Sequence, residues 1–410
     1  MNAKKISDKK VELSSPAGNW CALRSAVISG TDSVYFGVKS LNMRQGAENF
    51  DVLELSKIMK FLHGNGKKGY LALNVVIYNH EIKKAEKILL SAKKQGVDAV
   101  ILWDMSLLAI CKKLNLDIHI STQAGVANTE AFRHYAMLGA KRIVLARECP
   151  LAAIKEIAAK VKKERIPCQI EAFVHGAMCV SVSGRCFLSH EAFNKSANRG
   201  ECLQPCRRMF YIEDSDGETK YRIGPNYILS PKDLCTIPFM GRLIESGIDV
   251  FKIEGRNRSP EYVKNVTLCY REAVNAYYDG CFTEKLKKAL LKRLEGTYNR
   301  GLDSGFYTGA PGGLDNTLAT RIEKIYAGQV KRFFPKLGVA DILVCKGPLS
   351  IGDNILITGK NTAAEYCVIS QMQKDKEPVG SAEKGDRVGI KLSFRAHVKD
   401  KVFLIKEKTI

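Results

Sequence analysis

The stretch EIKKAEKILLSAKKQGVDAVILWD, residues 81–104, contains the pattern that decides the fold. Up to Gly96, apolar side chains recur at helical spacing among lysines and glutamates, which predicts an amphipathic helix. The run AVILWD then forms a short, continuous apolar segment, typical of a strand that is buried on both faces. A helix that leads into a buried strand is the repeating unit of a parallel α/β sheet.

The same unit recurs along the first 256 residues. The predicted strands lie at residues 11–15, 33–37, 70–76, 99–104, 117–123, 142–148, 168–176 and 249–256. Eight units over about 250 residues match the size and strand count of a TIM-type (β/α)8 barrel, the α/β fold that we predict. The alternative is an open doubly wound sheet. It is disfavoured because no strand is followed by G-x-G-x-x-G and no P-loop occurs.

The connection between strands seven and eight is unusually long, since these two strands start about 80 residues apart. It contains a cysteine-rich segment, residues 175–208, and then residues 211–235, which alternate like a β-hairpin around Asp-Gly. In a TIM barrel, the loop after a strand opens at the C-terminal face, where active sites lie. We therefore expect the cysteine-rich segment in an inserted loop on the active face.

The pattern changes after the eighth strand. Residues 257–305 have helical patterns, including a basic amphipathic stretch for which a solvated face and an RNA contact both remain open. Further on, short alternating runs separated by Gly-Asp and Lys-Gly turns predict a small closed β-barrel of about six strands. The predicted divisions are a basic tail (1–10), a barrel domain with its following helices (11–300), a glycine-rich linker (301–324) and a small C-terminal β-barrel (325–410).

The chain is strongly basic, with 64 Lys and Arg against 43 Asp and Glu and a net charge of +21. This surplus favours a polyanionic partner such as RNA, although a solvated basic surface is the alternative. The N-terminal region has no apolar core of a secretory signal, and no run of 18 apolar residues occurs. We therefore expect a cytoplasmic protein with no membrane partner and with reduced cysteines.

Four cysteines of the cysteine-rich segment, Cys179, Cys186, Cys202 and Cys206, fall within 28 residues. Four thiols on one irregular segment suit a tetrahedral centre, either zinc or an iron–sulfur cluster. None of the spacings is the C-x-x-C of structural zinc ribbons, which favours iron–sulfur. A cysteine nucleophile paired with His175 is an alternative, but it leaves two cysteines unexplained.

The motifs around these cysteines resemble the family classed as peptidase U32. The resemblance covers roughly residues 10–400, including the C-terminal β-barrel. The motifs that carry it, in order, are SVYFGVKSLNMR (33–44), STQAGVAN (121–128), HGAMCVSVSGRC (175–186), GECLQPCRR (200–208), SPKDLC (230–235) and KIEGR (252–256).

The resemblance implies an enzyme, but members of the family differ in activity. Some members were named collagenase-like proteases. Others hydroxylate RNA without oxygen, at a cytidine of 23S ribosomal RNA or at the wobble uridine of tRNA, with prephenate supplying the hydroxyl group; a third branch hydroxylates a ubiquinone precursor. In those hydroxylases, four matching cysteines carry an iron–sulfur cluster. The resemblance therefore implies a cluster, of the 4Fe-4S type, on Cys179, Cys186, Cys202 and Cys206, with Cys235 as a rival for the fourth position.

Polar residues at predicted strand ends extend the candidate site. Arg44, Arg147 and Arg256 are candidates for binding a dicarboxylate, because a guanidinium group matches a carboxylate bidentately. The resemblance implies prephenate as that co-substrate. Gln123 is a candidate for contacting a base edge or a carboxylate, or it satisfies loop backbone.

Two further residues are candidates for catalysis. His175 ends strand seven and is either a general acid/base or a packed histidine. Glu254 ends strand eight and is either catalytic or part of a fixed salt bridge with Arg256.

These observations predict a U32-type enzyme that hydroxylates C5 of a pyrimidine in tRNA or 23S ribosomal RNA without oxygen. A U32 peptidase is the alternative, but the chain has neither H-E-x-x-H nor G-x-S-x-G, and Ser183 has no evident base. A non-catalytic RNA-binding protein with a structural metal site is the second alternative. The target base and the oligomeric state do not follow from the sequence.

Overall fold

The computed structural model describes residues 10–208, 211–213, 220–222, 229–309 and 322–407. Residues 1–9 of the predicted basic tail and residues 310–321 of the predicted linker lie outside these ranges.

Eight parallel strands form a closed barrel. Strands β1 to β7 pair in chain order, and β11 closes the ring by pairing with both β7 and β1. The barrel strands are β1 (Glu12–Ala17), β2 (Ser33–Gly37), β3 (Lys68–Ala72), β4 (Ala99–Leu102), β5 (Ile118–Ile120), β6 (Ala140–Val144), β7 (Gln169–Ala177) and β11 (Val250–Ile253). Each overlaps a predicted strand, so the TIM-type prediction is confirmed.

Helices alternate with these strands and pack around the barrel. Their apolar faces form the main core together with the strands. The helices are α1 (Trp20–Ile28), α2 (Leu55–Gly64), α3 (Ile82–Lys94), α4 (Met105–Lys113), α5 (Thr129–Met137), α6 (Leu151–Lys163), α7 (Leu188–Phe193), α8 (Met240–Ile244), α9 (Pro260–Tyr278) and α10 (Glu284–Glu295). Of these, α7 lies in the connection between β7 and β11 and contributes no residue to the main core.

Helix α3 and strand β4 show how the local sequence produces this unit. Ala85, Ile88, Leu89 and Ala92 are the buried residues of α3. Their spacing places them on one face of the helix. All residues of Ala99–Leu102 are buried, as expected for a strand covered on both sides.

The connection between β7 and β11 is an insertion with strands of its own. Its hairpin pairs β8 (Tyr211–Glu213) with β9 (Lys220–Arg222), and the turn between them lies outside the described residues. The sequence assigned residues up to 235 to the hairpin, but Asp233–Cys235 forms a separate strand, β10. Strand β10 pairs antiparallel with the end of β7 and parallel with β12 (Leu302–Asp303). The insertion therefore leaves and returns to the same barrel strand.

The C-terminal domain is an antiparallel half-barrel sheet with a small core of its own. It has eight strands in the order β17-β16-β22-β13-β14-β21-β18-β19, and β15 pairs separately with β20. The sequence predicted about six strands in a closed barrel. It missed β18 and β19 because they are only three and two residues long. The strands are β13 (Ile322–Phe334), β14 (Val339–Val344), β15 (Leu349–Ser350), β16 (Asn354–Thr358), β17 (Glu365–Val368), β18 (Met372–Lys374), β19 (Glu377–Pro378), β20 (Ser381–Ala382), β21 (Arg387–Lys391) and β22 (Lys401–Glu407).

The C-terminal sheet docks on α1 and α9, the helices that follow the first and last barrel strands. Ala364 contacts both helices: its backbone N–H donates to Ser25 Oγ at 3.1 Å, and its carbonyl accepts from Lys264 Nζ at 2.7 Å. Lys324 Nζ lies 2.8 Å from Glu261 Oε1, at the start of α9. These contacts fix the sheet beside the barrel.

Within the described ranges, no helix combines the length and the apolar character that a membrane crossing requires.

Candidate functional site

A cavity of about 150 Å³ lies at the carboxyl ends of the barrel strands, under the inserted loop. We call it the carboxyl-end cavity. Because the carboxyl ends of parallel strands meet at one face, side chains from distant parts of the sequence converge there. Nine of the ten predicted site residues line it: Arg44, Gln123, Arg147, Cys179, Cys186, Cys202, Cys206, Glu254 and Arg256.

Glu254 is held between two arginines. Its Oε1 lies 3.1 Å from Arg44 Nη2, and its Oε2 accepts a hydrogen bond from Arg147 Nη2 at 2.9 Å. Burial raises the pKa of Glu254, but the guanidinium groups of Arg44, Arg147 and Arg256 outweigh it and lower that pKa to about 2. Glu254 is therefore an anion at neutral pH, and its bridges go to Arg44 and Arg147 rather than to the predicted Arg256.

Arg256 has spare hydrogen-bonding capacity. It is buried, and its Nη1 has no hydrogen-bond partner within the described residues; the same is true of Arg147 Nε. Burial and the repulsion from Arg44 lower the pKa of Arg256 to about 10, which leaves it charged at neutral pH. Gly37 makes room for this group, since a Cβ there would lie 2.2 Å from Arg256 Nη1. A buried donor without an acceptor is costly, so these groups suit an anionic ligand.

The charges in the cavity wall are unbalanced. The lining contains a single carboxylate, Glu254, and five basic residues: Arg44, Arg147, Arg207, Lys252 and Arg256. In a cavity of low polarity, such an excess attracts an anion more strongly than it would in water. The electrostatics therefore favour a ligand with more than one negative charge.

Two further cavity residues, Lys252 and Tyr35, were not predicted from the sequence. Lys252 Nζ lies 2.6 Å from Glu171 Oε1 and 4.4 Å from the centre of the Tyr35 ring, and both Lys252 and Tyr35 line the cavity. Tyr35 donates a hydrogen bond to the Ile253 carbonyl at 2.7 Å. A lysine inside the apolar run DVFKIEGR was the available signal, because a lysine in a buried strand needs a partner.

Gln123 belongs to a network of loop residues. Its Oε1 accepts from Asn74 Nδ2 at 3.2 Å and from Ser121 Oγ. Asn74, which the sequence left unassigned, also accepts from the Met43 backbone N–H at 3.2 Å and lines the cavity. The side-chain carbonyl of Gln123 thus binds two neighbouring side chains rather than loop backbone, and its contact with a base edge or a carboxylate stays a prediction.

The four clustered cysteines surround the cavity. Backbone N–H groups of Leu188 and Gln204 donate to Cys186 Sγ and Cys202 Sγ, each at 3.4 Å. Burial raises the pKa of the Cys202 and Cys206 thiols, and the neighbouring thiols raise it further. In the described part of the chain, no three His, Cys, Asp or Glu residues are gathered closely enough to hold a metal ion. The donor set is therefore of the right type, in one cavity, but its sulfurs do not converge on one point.

Cys235, the rival fourth ligand, lies elsewhere. It is buried on β10, opposite His175 of β7, and does not line the cavity. The Tyr270 hydroxyl lies 3.9 Å from its Sγ. Its position favours Cys206, which does line the cavity.

His175 also lies outside the cavity wall. Its ring packs against Tyr262 and Tyr270, with centroid distances of 6.0 and 5.4 Å, and only 2% of the residue is exposed. Burial and the nearby Arg258 lower the pKa of His175 to about 3, so the ring is neutral at physiological pH. This position matches the packed histidine rather than the general acid/base.

Comparisons with known proteins identify the family. The model described as peptidase family U32 matches residues 18–317. An uncharacterized protease of Methanocaldococcus jannaschii is 42% identical over 405 residues, covering 97% of this chain and 98% of that protein. A protein of Porphyromonas gingivalis named collagenase is 38% identical over 403 residues, covering 96% and 97%. One of Bacillus subtilis named tRNA hydroxylation protein P1 is 34% identical over 318 residues, covering 76% and 74%. The resemblance seen in the cysteine motifs is confirmed, and the chain belongs to peptidase family U32.

Proposed function

We propose that this chain is an RNA-modifying hydroxylase that acts without oxygen at C5 of a pyrimidine in tRNA or ribosomal RNA. The carboxyl-end cavity carries the proposal, because it combines four thiols with five basic side chains and one carboxylate. A relative named for tRNA hydroxylation and the net charge of +21 both support an RNA substrate.

An iron–sulfur cluster, of the 4Fe-4S type, is the cofactor in this proposal. Its ligands would be the four cysteines of the cavity, Cys179, Cys186, Cys202 and Cys206. The loop segments that carry them would have to move so that the four sulfurs come within bonding distance of one cluster. Two of the sulfurs already accept backbone hydrogen bonds, an interaction that tunes the potential of such clusters. When bound, the cluster supplies a centre for electron transfer or for polarising an oxygen atom.

Prephenate is the proposed co-substrate, and its two carboxylates match the basic wall. The unpartnered N–H groups of Arg256 and Arg147 are suited to donating hydrogen bonds to carboxylate oxygens. Lys252 lies in the same wall next to the Tyr35 ring, but its ammonium group is paired with Glu171. Binding an anion here would complete hydrogen bonds that the protein leaves unmade.

The remaining cavity residues position these groups. The Glu254 carboxylate orients Arg44 and Arg147 through its two oxygens, and its low pKa excludes it as a proton donor at neutral pH. The network of Asn74 and Gln123 keeps the loops after β3 and β5 in place. The target base must leave its stack to reach a site at this depth.

The peptidase alternative lacks an activated nucleophile in this cavity. Within the described residues, none of those lining it is a histidine, and His175 is buried outside the wall. Ser183 Oγ lies 3.4 Å from Thr122 Oγ1, which is no base. A non-catalytic RNA-binding protein, in turn, would leave the unpartnered N–H groups of Arg147 and Arg256 without a function. The hydroxylase therefore accounts for more of the site.

Mass spectrometry of total nucleosides tests the proposal. Deletion of the gene should remove one hydroxylated pyrimidine nucleoside, and the wild-type gene should restore it. Cys186→Ser should fail to restore it, whereas Cys281→Ser, an exposed cysteine outside the cavity, should succeed. An unchanged nucleoside profile after deletion would contradict the proposal, as would full peptide-cleaving activity in Cys186→Ser.

Anaerobic purification tests the cofactor separately. The wild-type protein and Cys281→Ser should be brown and contain iron and acid-labile sulfide, and Cys186→Ser should lose both. A colourless wild-type protein with one bound zinc would exclude the redox centre and leave a structural metal site.

A further inference from the structure

A second cavity, of about 790 Å³, adjoins the first between the barrel and the C-terminal sheet. We call it the interdomain groove. Five residues line both cavities: Arg44, Ala177, Gln204, Glu254 and Asn257. A ligand that enters the carboxyl-end cavity can therefore extend along the groove without a break.

The groove is basic. Its acidic residues are Glu254 and Glu261, and its basic residues are Arg44, Arg258, Lys292, Arg293, Arg300 and Lys324. Arg258 and Arg300 are held by Asp233, a buried carboxylate outside the lining, at 2.7 and 3.3 Å. Arg293 is paired with Glu272, also outside the lining, and Lys324 with Glu261. Four carboxylates thus partner five of the six basic groups, and the cations remain in excess. The excess of cations along a continuous surface suits a chain of phosphates.

Exposed tyrosines lie on both sides of the groove. Tyr298, from the barrel domain, is 47% exposed, and Tyr366, on β17 of the C-terminal sheet, is 38% exposed. The guanidinium carbons of Arg258 and Arg300 lie 4.6 and 5.5 Å from the centre of the Tyr298 ring and so help to hold it. An exposed ring next to cations is a platform on which unstacked bases can stack.

The two domains build the groove together. Asn354, Tyr366 and Ile405 of the sheet line it together with Tyr298 and Arg300 of the barrel domain. Since the contacts of Ala364 with α1 and α9 fix the sheet, the width of the groove is set before any ligand arrives. Such preorganisation lowers the cost of binding.

We propose that the interdomain groove binds single-stranded RNA next to the base that enters the carboxyl-end cavity. The inference rests on the proposed function. It adds that the nucleotides on one side of the target base lie in the groove, where they contact the C-terminal sheet. Single-stranded rather than duplex RNA is required, because only unstacked bases can use the tyrosines. An acidic peptide matches the charge of the groove but gains nothing from two exposed rings.

Fluorescence anisotropy with the anaerobically purified full chain tests this inference. The probes are a labelled pyrimidine-rich single-stranded RNA, the same RNA as a duplex, and a polyglutamate peptide. Tyr298→Ala and Tyr366→Ala should each weaken single-strand binding about 10-fold. Tyr78→Ala, which removes a tyrosine that is 50% exposed outside the groove, should not.

The salt dependence of RNA affinity distinguishes binding in the groove from non-specific attraction to the basic surface. Lys292→Gln should lower the slope of log affinity against log salt by about 1, because one phosphate contact is lost. Lys155→Gln, which removes another exposed charge, on α6 outside the groove, should leave the slope unchanged. Circular dichroism and thermal unfolding confirm that each variant is folded.

The outcomes are distinct for the two proposals. Unchanged RNA affinity in both tyrosine variants, or equal loss of peptide binding, would overturn the groove assignment even if the hydroxylated nucleoside is made. Tyrosine-dependent RNA binding without any hydroxylated nucleoside would retain the groove and overturn the proposed reaction. Tighter binding of the duplex would also overturn the single-strand assignment.

Discussion

The barrel contains two sets of buried charges that differ in how completely they are paired. The first set, which we call the interior network, consists of Glu12, Arg142, Glu171 and Lys252 and lies within the strands. Arg142 bonds to Glu12 Oε2 at 2.7 Å and lies 3.5 Å from Glu171 Oε2. Beyond the strand ends, Arg256 keeps an N–H group without a partner among the described residues. Each charge of the interior network thus has an oppositely charged partner, although Glu171 Oε2 makes no hydrogen bond within the described residues, whereas Arg256 bridges to no carboxylate there. We infer that a buried charge with an ionic partner serves the fold, and that a buried charge without one serves a ligand.

The largest expected effect concerns the interior network. Arg142→Met leaves the Glu12 carboxylate without its cation in a buried position, so the free energy of unfolding should fall by about 3–5 kcal/mol. Urea denaturation measures it. Arg133→Met, at a surface pair with Glu130 and Glu164, is the matched control and should change the urea midpoint little. Equal midpoints for the two variants would show that the interior network does not stabilise the barrel.

The next effect is pH-dependent and tests Glu254. Its pKa in the folded protein is about 2, below the ordinary value of 4.5, so its ionisation stabilises the folded state above pH 4.5. That contribution is lost as the pH falls from 4.5 towards 2. At pH 7, Glu254→Gln should therefore be less stable by about 3 kcal/mol, and this difference should shrink steadily as the pH falls from 4.5 towards 2. Thermal unfolding at several pH values measures this; a difference that stays constant down to pH 3 would contradict the assignment.

The smallest effect on stability is expected at Arg256. Arg256→Met removes a buried cation that no carboxylate bridges, so the melting temperature should change little. If prephenate binds as proposed, its dissociation constant should rise about 10- to 100-fold, since hydrogen bonds to a charged group are lost. Calorimetric titration measures the binding. A melting temperature as low as that of Arg142→Met, with unchanged prephenate affinity, would assign Arg256 to the fold instead.

The fold was predictable because buried parallel strands appear in the sequence as continuous apolar runs. The helices between them appear as apolar residues repeated at the 3.6-residue period of an α-helix. The cavity was predictable in part, because the active site of a TIM barrel lies at the carboxyl ends of its strands. This places Arg44, Arg147 and Arg256 on one face of the barrel. That rule says where along a strand a residue lies, but not towards which side its side chain points. His175 ends a strand and nevertheless packs between Tyr262 and Tyr270.

Partners that are distant in sequence could not be predicted. Glu254 bridges to Arg44 and Arg147 rather than to Arg256, two residues away, because β11 ends at Ile253 and the chain turns. Lys252 stood inside an apolar run, and its partner Glu171 lies 81 residues earlier. Only the closure of the barrel brings such pairs together.

The docking of the C-terminal sheet has a consequence for how the barrel is assembled. Strands β1 and β11 meet at the seam of the ring, and α1 and α9 cover that seam. Ala364 is tied to both helices by its own peptide groups. The C-terminal sheet is synthesised after the barrel, and its contacts with α1 and α9 hold the first and last barrel strands together. In a chain that ends before this sheet, the pairing of β1 with β11 should open first, and the backbone amides of these two strands should exchange hydrogen faster.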